Sequence, residues 1–292
     1  AGLDLAVLEV GLGGRLDAVN LVDPDVAVIT TVDLDHQEWL GTDREAIGLE
    51  KAGIMRPWRP VVLGERDPPA SVLRRAYAIG ASAIRAGCDY LYGAAGDGWT
   101  WREPGCELSL PMPALAAPAQ LDNAAAAIAA LRALPVDLPV RAYADGVAAA
   151  RVAGRLQRIE REGVELVLDV GHNPQALGQV KAWLERHPVP GRTLAVFGAL
   201  GDKDIAALVG PLATTVSIWW LAGLDADTPR GLDAAGLAER LSGVAGLVDV
   251  RPKGTVTEAL DAALAEATPG DRVLVYGSFH TVGRALGALG RG

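Results

Sequence analysis

From Val164 onward, short apolar runs alternate with helical stretches, and this alternation limits the fold more than any other feature of the chain. Strands are expected at Glu165–Val170, Thr193–Phe197, Val216–Leu221, Leu247–Val250 and Arg272–Tyr276. Helices are expected between them at Pro174–Arg186, Lys203–Val209, Leu232–Leu241 and Thr255–Ala267, with a last one at Thr281–Leu289. Strands without a polar face must be covered on both sides, and helices in each crossover supply that cover. The expectation is an α/β domain with a parallel sheet, Rossmann-like in plan.

The first half begins the same way. Leu5–Val10 and Val26–Val32 are apolar runs suited to a central parallel sheet, and Val61–Leu63 suits a third strand. Thr42 and Glu45 have the spacing of a capping box, opening a helix that Gly53 closes. Tyr90–Tyr92 and Trp99–Arg102 flank a Gly-rich turn and suggest a hairpin, and the Ala-rich Leu121–Leu134 suggests a helix ended by Pro135. The domain boundary is expected near Arg158–Gly163, giving domains 1–158 and 159–292. At about 150 residues per domain, 292 residues fit that division.

Composition excludes several classes. With 27 Lys plus Arg against 36 Asp plus Glu the net charge is −9, which disfavours a nucleic-acid surface. Two cysteines, Cys88 and Cys106, fit a reducing compartment, so a cytoplasmic protein is expected. The uncharged run Ile205–Leu224 has the length of a membrane span, but Gly210–Pro211 breaks it into a buried helix and a buried strand. Lysine is scarce, at four against 23 arginines, so each one stands out. The chain opens at Ala1 without Met and runs straight into apolar residues, from which a fragment is expected.

Chemistry-bearing residues gather where strands run into loops, the ligand crevice of open α/β sheets. Leu8–Asp17 carries Glu9 at the end of an apolar run, followed by Gly11, Gly13 and Gly14. Leu16 stands where a dinucleotide fingerprint needs its third glycine, so that fingerprint fails. Glu9 is equally open to a metal or to an arginine partner. His36 lies among Asp33, Asp35 and Glu38, where a solvated loop is the simpler reading. Lys51, in a last helical turn, suits the helix dipole. Asn173 and Pro174 are helix-start residues, which leaves Asp169 and His172 beside that start for an anionic ligand. For His280 packing is favoured, and His187 reads as a surface residue.

Together these segments resemble the folylpolyglutamate synthase/dihydrofolate synthase family of Mur-ligase-like amide ligases, in its bacterial bifunctional form. The matching stretches, in the family's order, are 8–20 (LEVGLGGRLDAVN), 33–41 (DLDHQEWLG), 50–54 (EKAGI), 121–128 (LDNAAAAI), 154–157 (GRLQ), 168–174 (LDVGHNP), 197–204 (FGALGDKD) and 276–283 (YGSFHTVG). The resemblance implies a truncated Mur-ligase-type central ATPase domain followed by a Rossmann-like C-terminal domain. It implies magnesium ligands at Glu9 and His36, and a carbamylated Lys51 as a further, catalytic ligand, replacing the helix-dipole reading. A guanidinium could not be so modified, which fits the retention of lysine there. It implies ATP contacts at Asn123, Arg155 and Asp169, with His172 a neighbour in nucleotide binding and catalysis. Leu16, Asp17 and Ala18 match a loop that holds the pteroate substrate.

The implied reaction adds L-glutamate to dihydropteroate or to folate polyglutamates, with ATP, Mg2+ and an acyl phosphate, in a monomer that engages neither nucleic acid nor membrane. The family's phosphate loop, GxxxxGK[ST], is nowhere in these residues, so the chain alone is expected not to turn over. The alternatives are another Mur-type amino-acid ligase and a non-catalytic nucleotide-binding remnant.

Overall fold

The structure is a computed structural model and describes residues 2–34, 36–115, 117 and 119–290. The chain divides into two compact units, Ala1–Ala114 with Ala119–Ala150, and Leu115–Pro118 with Arg151–Gly292. The division falls before, not within, the segment expected from sequence. Gln157–Arg161 is a strand paired antiparallel to Val164–Asp169, so the charged turn at 161–163 is a hairpin inside the second unit.

In the first unit a parallel sheet has the order β1 (Ala27–Ile29), β2 (Pro60–Leu63), β3 (Ser82–Arg85). The β1–β2 connection carries α1 (Gln37–Leu40) and α2 (Arg44–Lys51), and the β2–β3 connection carries α3 (Ala70–Ile79). Ile29, Leu63, Ile47 and Val72 close the core between sheet and helices. Leu5–Val10 is not a strand. No described strand pairs with it, and Val7 is 88% exposed, because an apolar run becomes a strand only where a ladder partner exists.

The capping box is also corrected. Asp43, not Thr42, caps α2 by accepting from Ala46 N–H (2.8 Å). Glu45 instead accepts from Ala70 N–H (2.9 Å) and Ser71 N–H (2.6 Å), capping α3, whose own cap residue Pro69 offers no side-chain acceptor.

An antiparallel sheet follows, β4 (Leu91–Ala95), β5 (Gly98–Glu103) and β6 (Cys106–Pro111), one strand more than the expected hairpin. Period-two alternation turns Trp99 and Trp101 inward. The helix α4 (Ala119–Ala133) buries Ala125, Ala126 and Ala129 in the same core, and Trp101 Nε1–H donates to Ala125 O (3.1 Å). A small-residue face lets this helix come close. The unit ends with α5 (Val140–Ala149).

The second unit is the expected α/β domain. Its six-stranded sheet has the order β11 (Val250–Lys253), β10 (Ile218–Ala222), β9 (Thr193–Phe197), β12 (Arg272–Tyr276), β8 (Val164–Asp169), β7 (Gln157–Arg161). Every pairing is parallel except β7 with β8. The helices α6 (Pro174–Arg186), α7 (Ile205–Val209), α8 (Ala234–Leu241), α9 (Val256–Glu266) and α10 (Phe279–Leu289) accompany it, with an apolar core on each face. The edge strand β11 starts at Val250, where the expected strand ended. Asp249, with φ +48, turns the chain immediately before it. Among the described residues no helix is long and apolar enough to cross a membrane.

Candidate active site

In the first unit the glycine loop is seated on the end of α2. Arg15 N–H donates to Glu50 O (2.9 Å), and the Arg15 guanidinium pairs with the Glu50 carboxylate (2.9 Å). Asn20 Nδ2 bridges Arg15 O (3.0 Å) and Gly53 O (3.2 Å). Gly53 is required by this approach: a Cβ there would lie 2.4 Å from Arg15 Cβ and 2.6 Å from its Cα. Arg56 adds a tie from below, donating to Asn20 O (2.6 Å) and pairing with Asp23. Two segments 35 positions apart, one bearing Glu9 and Leu16–Ala18 and the other bearing Lys51, thereby form one scaffold.

Asp17 is the clasp of that loop. Its carboxylate accepts from Val19 N–H (3.0 Å), Leu12 N–H (3.1 Å) and Gly11 N–H (2.9 Å). Those bonds, Val19's foremost, hold it below the usual carboxylate range. Leu16, 81% exposed, and the exposed Ala18 flank it and remain available to a ligand. Asp17 is thus committed to the backbone, whatever its neighbours bind.

His36 is exposed in a left-handed conformation (φ 50) directly before α1. Asp35 lies outside the described residues. The loop leading to His36 is fastened from behind by Arg44, whose Nε–H donates to Val32 O (2.8 Å) while Nη2 pairs with Glu65 (2.9 Å). Burial raises the Glu65 carboxyl, against the pull of Arg44. Lys51 is half-buried at the end of α2, and Glu9 is exposed. Asn123 is exposed on the first turns of α4, its amide donating to Gln120 Oε1 (3.3 Å).

In the second unit Asp169 ends β8, and two chain segments meet on its carboxylate. Oδ2 accepts from Leu156 N–H (2.9 Å) and Oδ1 from Gly171 N–H (2.7 Å). Burial raises this carboxyl; the two N–H donors and the charges of Arg155 and His172 only partly offset it. Gly154, with φ +69, lets the 154–157 turn press on the sheet: a Cβ would lie 2.8 Å from Val170 and Val282 methyls. His172 Nδ1 donates to Val170 O (3.0 Å), which leaves Nε2 the acceptor in the neutral ring. Asn173 caps α6, as expected. Arg155, Asp169 and His172 are therefore brought together at the carboxyl end of β8.

Comparisons with known proteins bear directly on these segments. Residues 154–279 match the family described as Mur ligase, glutamate ligase domain. The chain is 42% identical to the dihydrofolate synthase/folylpolyglutamate synthase of Escherichia coli over 98% of its own length and 65% of the relative's. It is 35% identical to the Haemophilus influenzae protein of that name, over 97% of this chain and 67% of the relative. The chain belongs to the dihydrofolate synthase/folylpolyglutamate synthase family. It spans about two thirds of the length of these relatives. A solved bifunctional folylpolyglutamate synthase/dihydrofolate synthase, with Mn, AMPPNP and L-glutamate bound, superposes with a TM-score of 0.88 at 42% identity, covering 99% of this chain and 68% of that one.

Within that family frame the donor set can be weighed. Among the described residues no three His, Cys, Asp or Glu side chains gather into a metal cage. Glu9 and His36 are exposed donors instead. One carboxylate oxygen donor and one imidazole nitrogen donor fit a divalent cation that takes its remaining ligands from water and a nucleotide's phosphates.

Sequence reasoning missed the two ties that set the loops, Arg44–Glu65 and Glu45 on α3, because pairings 21 to 26 positions apart leave no local pattern. It also favoured packing for His280, in the first turn of α10. His280 is exposed, not packed, and Phe279, 61% exposed, stands beside Arg155 and His172. Both follow the N-capping Ser278, and within that first turn Phe279 and His280 are exposed while Thr281 is buried.

Proposed function

We propose that this chain is the part of an ATP-dependent amide ligase that joins L-glutamate to dihydropteroate, to folate polyglutamates, or to both. The supporting observation is the seating of the glycine loop on the Lys51 helix end through Arg15 N–H to Glu50 O (2.9 Å). It builds one platform from the segments to which the resemblance gives substrate and metal roles. In this reading Leu16, Asp17 and Ala18 form the pteroate loop, with Asp17 holding its shape and Leu16 and Ala18 facing the substrate. Glu9, His36 and a carbamylated Lys51 hold the ion. Asn123, Arg155, Asp169 and His172 serve the nucleotide.

The substrate carboxylate attacks the γ-phosphorus of ATP and releases ADP, giving an acyl phosphate. The glutamate amine attacks its carbonyl carbon, loses a proton, and phosphate departs from the tetrahedral adduct. Bound Mg2+ would offset the phosphate charge, which lets a chain of net charge −9 handle ATP. A monomer in the cytoplasm, apart from nucleic acid and membrane, is the setting proposed; two free cysteines are compatible with it. The domains drawn from sequence as 1–158 and 159–292 are proposed as the remainder of the ATP-binding domain and the C-terminal one, with their boundary moved to 150–151 so that Gln157–Arg161 stays in its sheet.

Because these residues include no GxxxxGK[ST] loop, binding without turnover is proposed for the chain by itself. Calorimetric titration is expected to show ADP and dihydropteroate binding, and mass spectrometry no glutamylated product. Product formed by the chain alone would refute the phosphate-loop requirement. Binding of a UDP-muramyl precursor in place of dihydropteroate would refute the folate reading, and binding of neither would refute the ligase reading.

A further inference from the structure

Phe279 has no role in the reaction as described, yet it is the least expected side chain of its neighbourhood. Two residues of its turn are locked away: Ser278 is 3% exposed and Thr281 0%, joined hydroxyl to hydroxyl (2.8 Å), with Thr281 Oγ1 donating on to Gly198 O (2.7 Å). The helix start is therefore rigid, and the Phe279 ring projects from it 61% exposed. Leaving most of a phenylalanine in water forgoes the favourable burial of its apolar ring.

What surrounds the ring is selective. The Arg155 guanidinium lies 5.8 Å from its centroid, and the His172 ring 6.0 Å away at 49°. His172 spends Nδ1 on Val170 O, so its other nitrogen is directed elsewhere. An exposed aromatic face beside a guanidinium and an imidazole suits a ligand with a planar ring joined to anionic groups.

We infer that Phe279 is a stacking platform for the base of the nucleotide, with Arg155 and His172 beside it serving the anionic part. The inference deepens the proposed function and rests on its assignment of Arg155, Asp169 and His172 to the nucleotide. Base–aromatic stacking is sequence-tolerant, so affinity gained here would extend to other purine nucleotides.

The composition makes the test unusually clean. The chain has two phenylalanines, and Phe197 is fully buried in the sheet core. With ring-13C phenylalanine, the resonance absent from Phe279→Ala identifies the ring in question. ADP is expected to produce nuclear Overhauser effects between that ring and adenine H2 or H8, whereas tripolyphosphate and L-glutamate produce none to it. Phe279→Ala is expected to weaken ADP about tenfold and leave tripolyphosphate unchanged, and Phe279→Trp to retain ADP affinity. If Arg155→Ala weakens ADP while Phe279→Ala does not, the platform is refuted and the nucleotide assignment stands. If the unsubstituted chain binds no ADP, or Arg155→Ala is without effect on it, the assignment fails and the platform with it.

Discussion

Gly53→Ala separates the proposed platform from a generic loop contact, because the two cases predict opposite signs. Gly53 lies in a short 3-10 helix (Ala52–Ile54) and its φ is not positive, so the backbone itself accepts alanine. If nothing crowded the site, the substitution would stabilise by about 0.4–1 kcal/mol through the unfolded chain. The structure instead puts the added methyl 2.4 Å from Arg15 Cβ and 2.6 Å from Arg15 Cα. A Cα cannot swing aside as a side-chain tip can, so the glycine loop must lift. That costs about 1–3 kcal/mol of overpacking, with about 0.5–1.5 kcal/mol more if the Arg15 N–H to Glu50 O bond opens. With that bond open, subtracting the alanine gain leaves a net loss of about 0.5–4 kcal/mol, a fall in Tm of about 1–16 °C for a unit of this size. Thermal unfolding gives the sign and hydrogen exchange the place: the Arg15 amide, bonded to Glu50 O, is expected to lose protection before β2 does. Dihydropteroate affinity should fall with it. An alanine variant that is as stable as the parent or more so, with Arg15 still protected, would refute the seating on which the functional reading rests.

Three further outcomes follow from the second unit. Asp169→Asn turns an amide N–H2 toward either Leu156 N–H or Gly171 N–H, a donor against a donor, and is expected to cost about 1–3 kcal/mol at neutral pH by urea unfolding. Because burial raises the Asp169 carboxyl above 3.8, its contribution is fully present below 3.8 and is lost as pH climbs through the raised value; the parent's advantage over Asp169→Asn should therefore grow on acidification. Asp271 runs the other way. Burial pushes its carboxyl up, but N–H groups of Thr268 and Arg192 and the Arg192 guanidinium overcome this and hold it at about 2, so roughly 2 kcal/mol of stability should vanish between pH 3.8 and 2, a loss that Asp271→Asn abolishes. Thr281→Val leaves Gly198 O without its buried donor and is expected to cost about 1–3 kcal/mol, whereas Thr281→Ser, which keeps the hydroxyl, should recover most of it; equal melting temperatures for the two would discount the hydrogen bond.

The two halves of the chain differ in how much their sequence reveals, and the reason is where each element finds its partner. Thr193–Phe197, Arg272–Tyr276 and Pro174–Arg186 are legible to the residue, because a strand buried on both faces and a helix capped by Asn173 carry their boundaries within themselves. Leu5–Val10 is as apolar as any of these, yet it makes no ladder, since strand formation is a property of pairs and no described strand lies against it. The site divides along the same line. Gly53, Gly154 and Asp169 were visible as motif residues, but what each does is settled by residues that no local pattern announces: Arg15 against Gly53, Val282 against Gly154, Leu156 on Asp169. Asp17 shows the consequence. A family motif marks it as substrate-facing, while three backbone N–H bonds account for it as the clasp of the loop. Motif position and chemical duty are therefore separable in this chain, and a loop can retain its signature because its shape, rather than each of its side chains, meets the ligand. On that argument Leu16 and Ala18 can be exchanged for residues of similar size with modest loss of substrate affinity. Replacing Asp17 by leucine should release Gly11 and Leu12 together and abolish binding, although the carboxylate's three hydrogen bonds all come from backbone N–H groups.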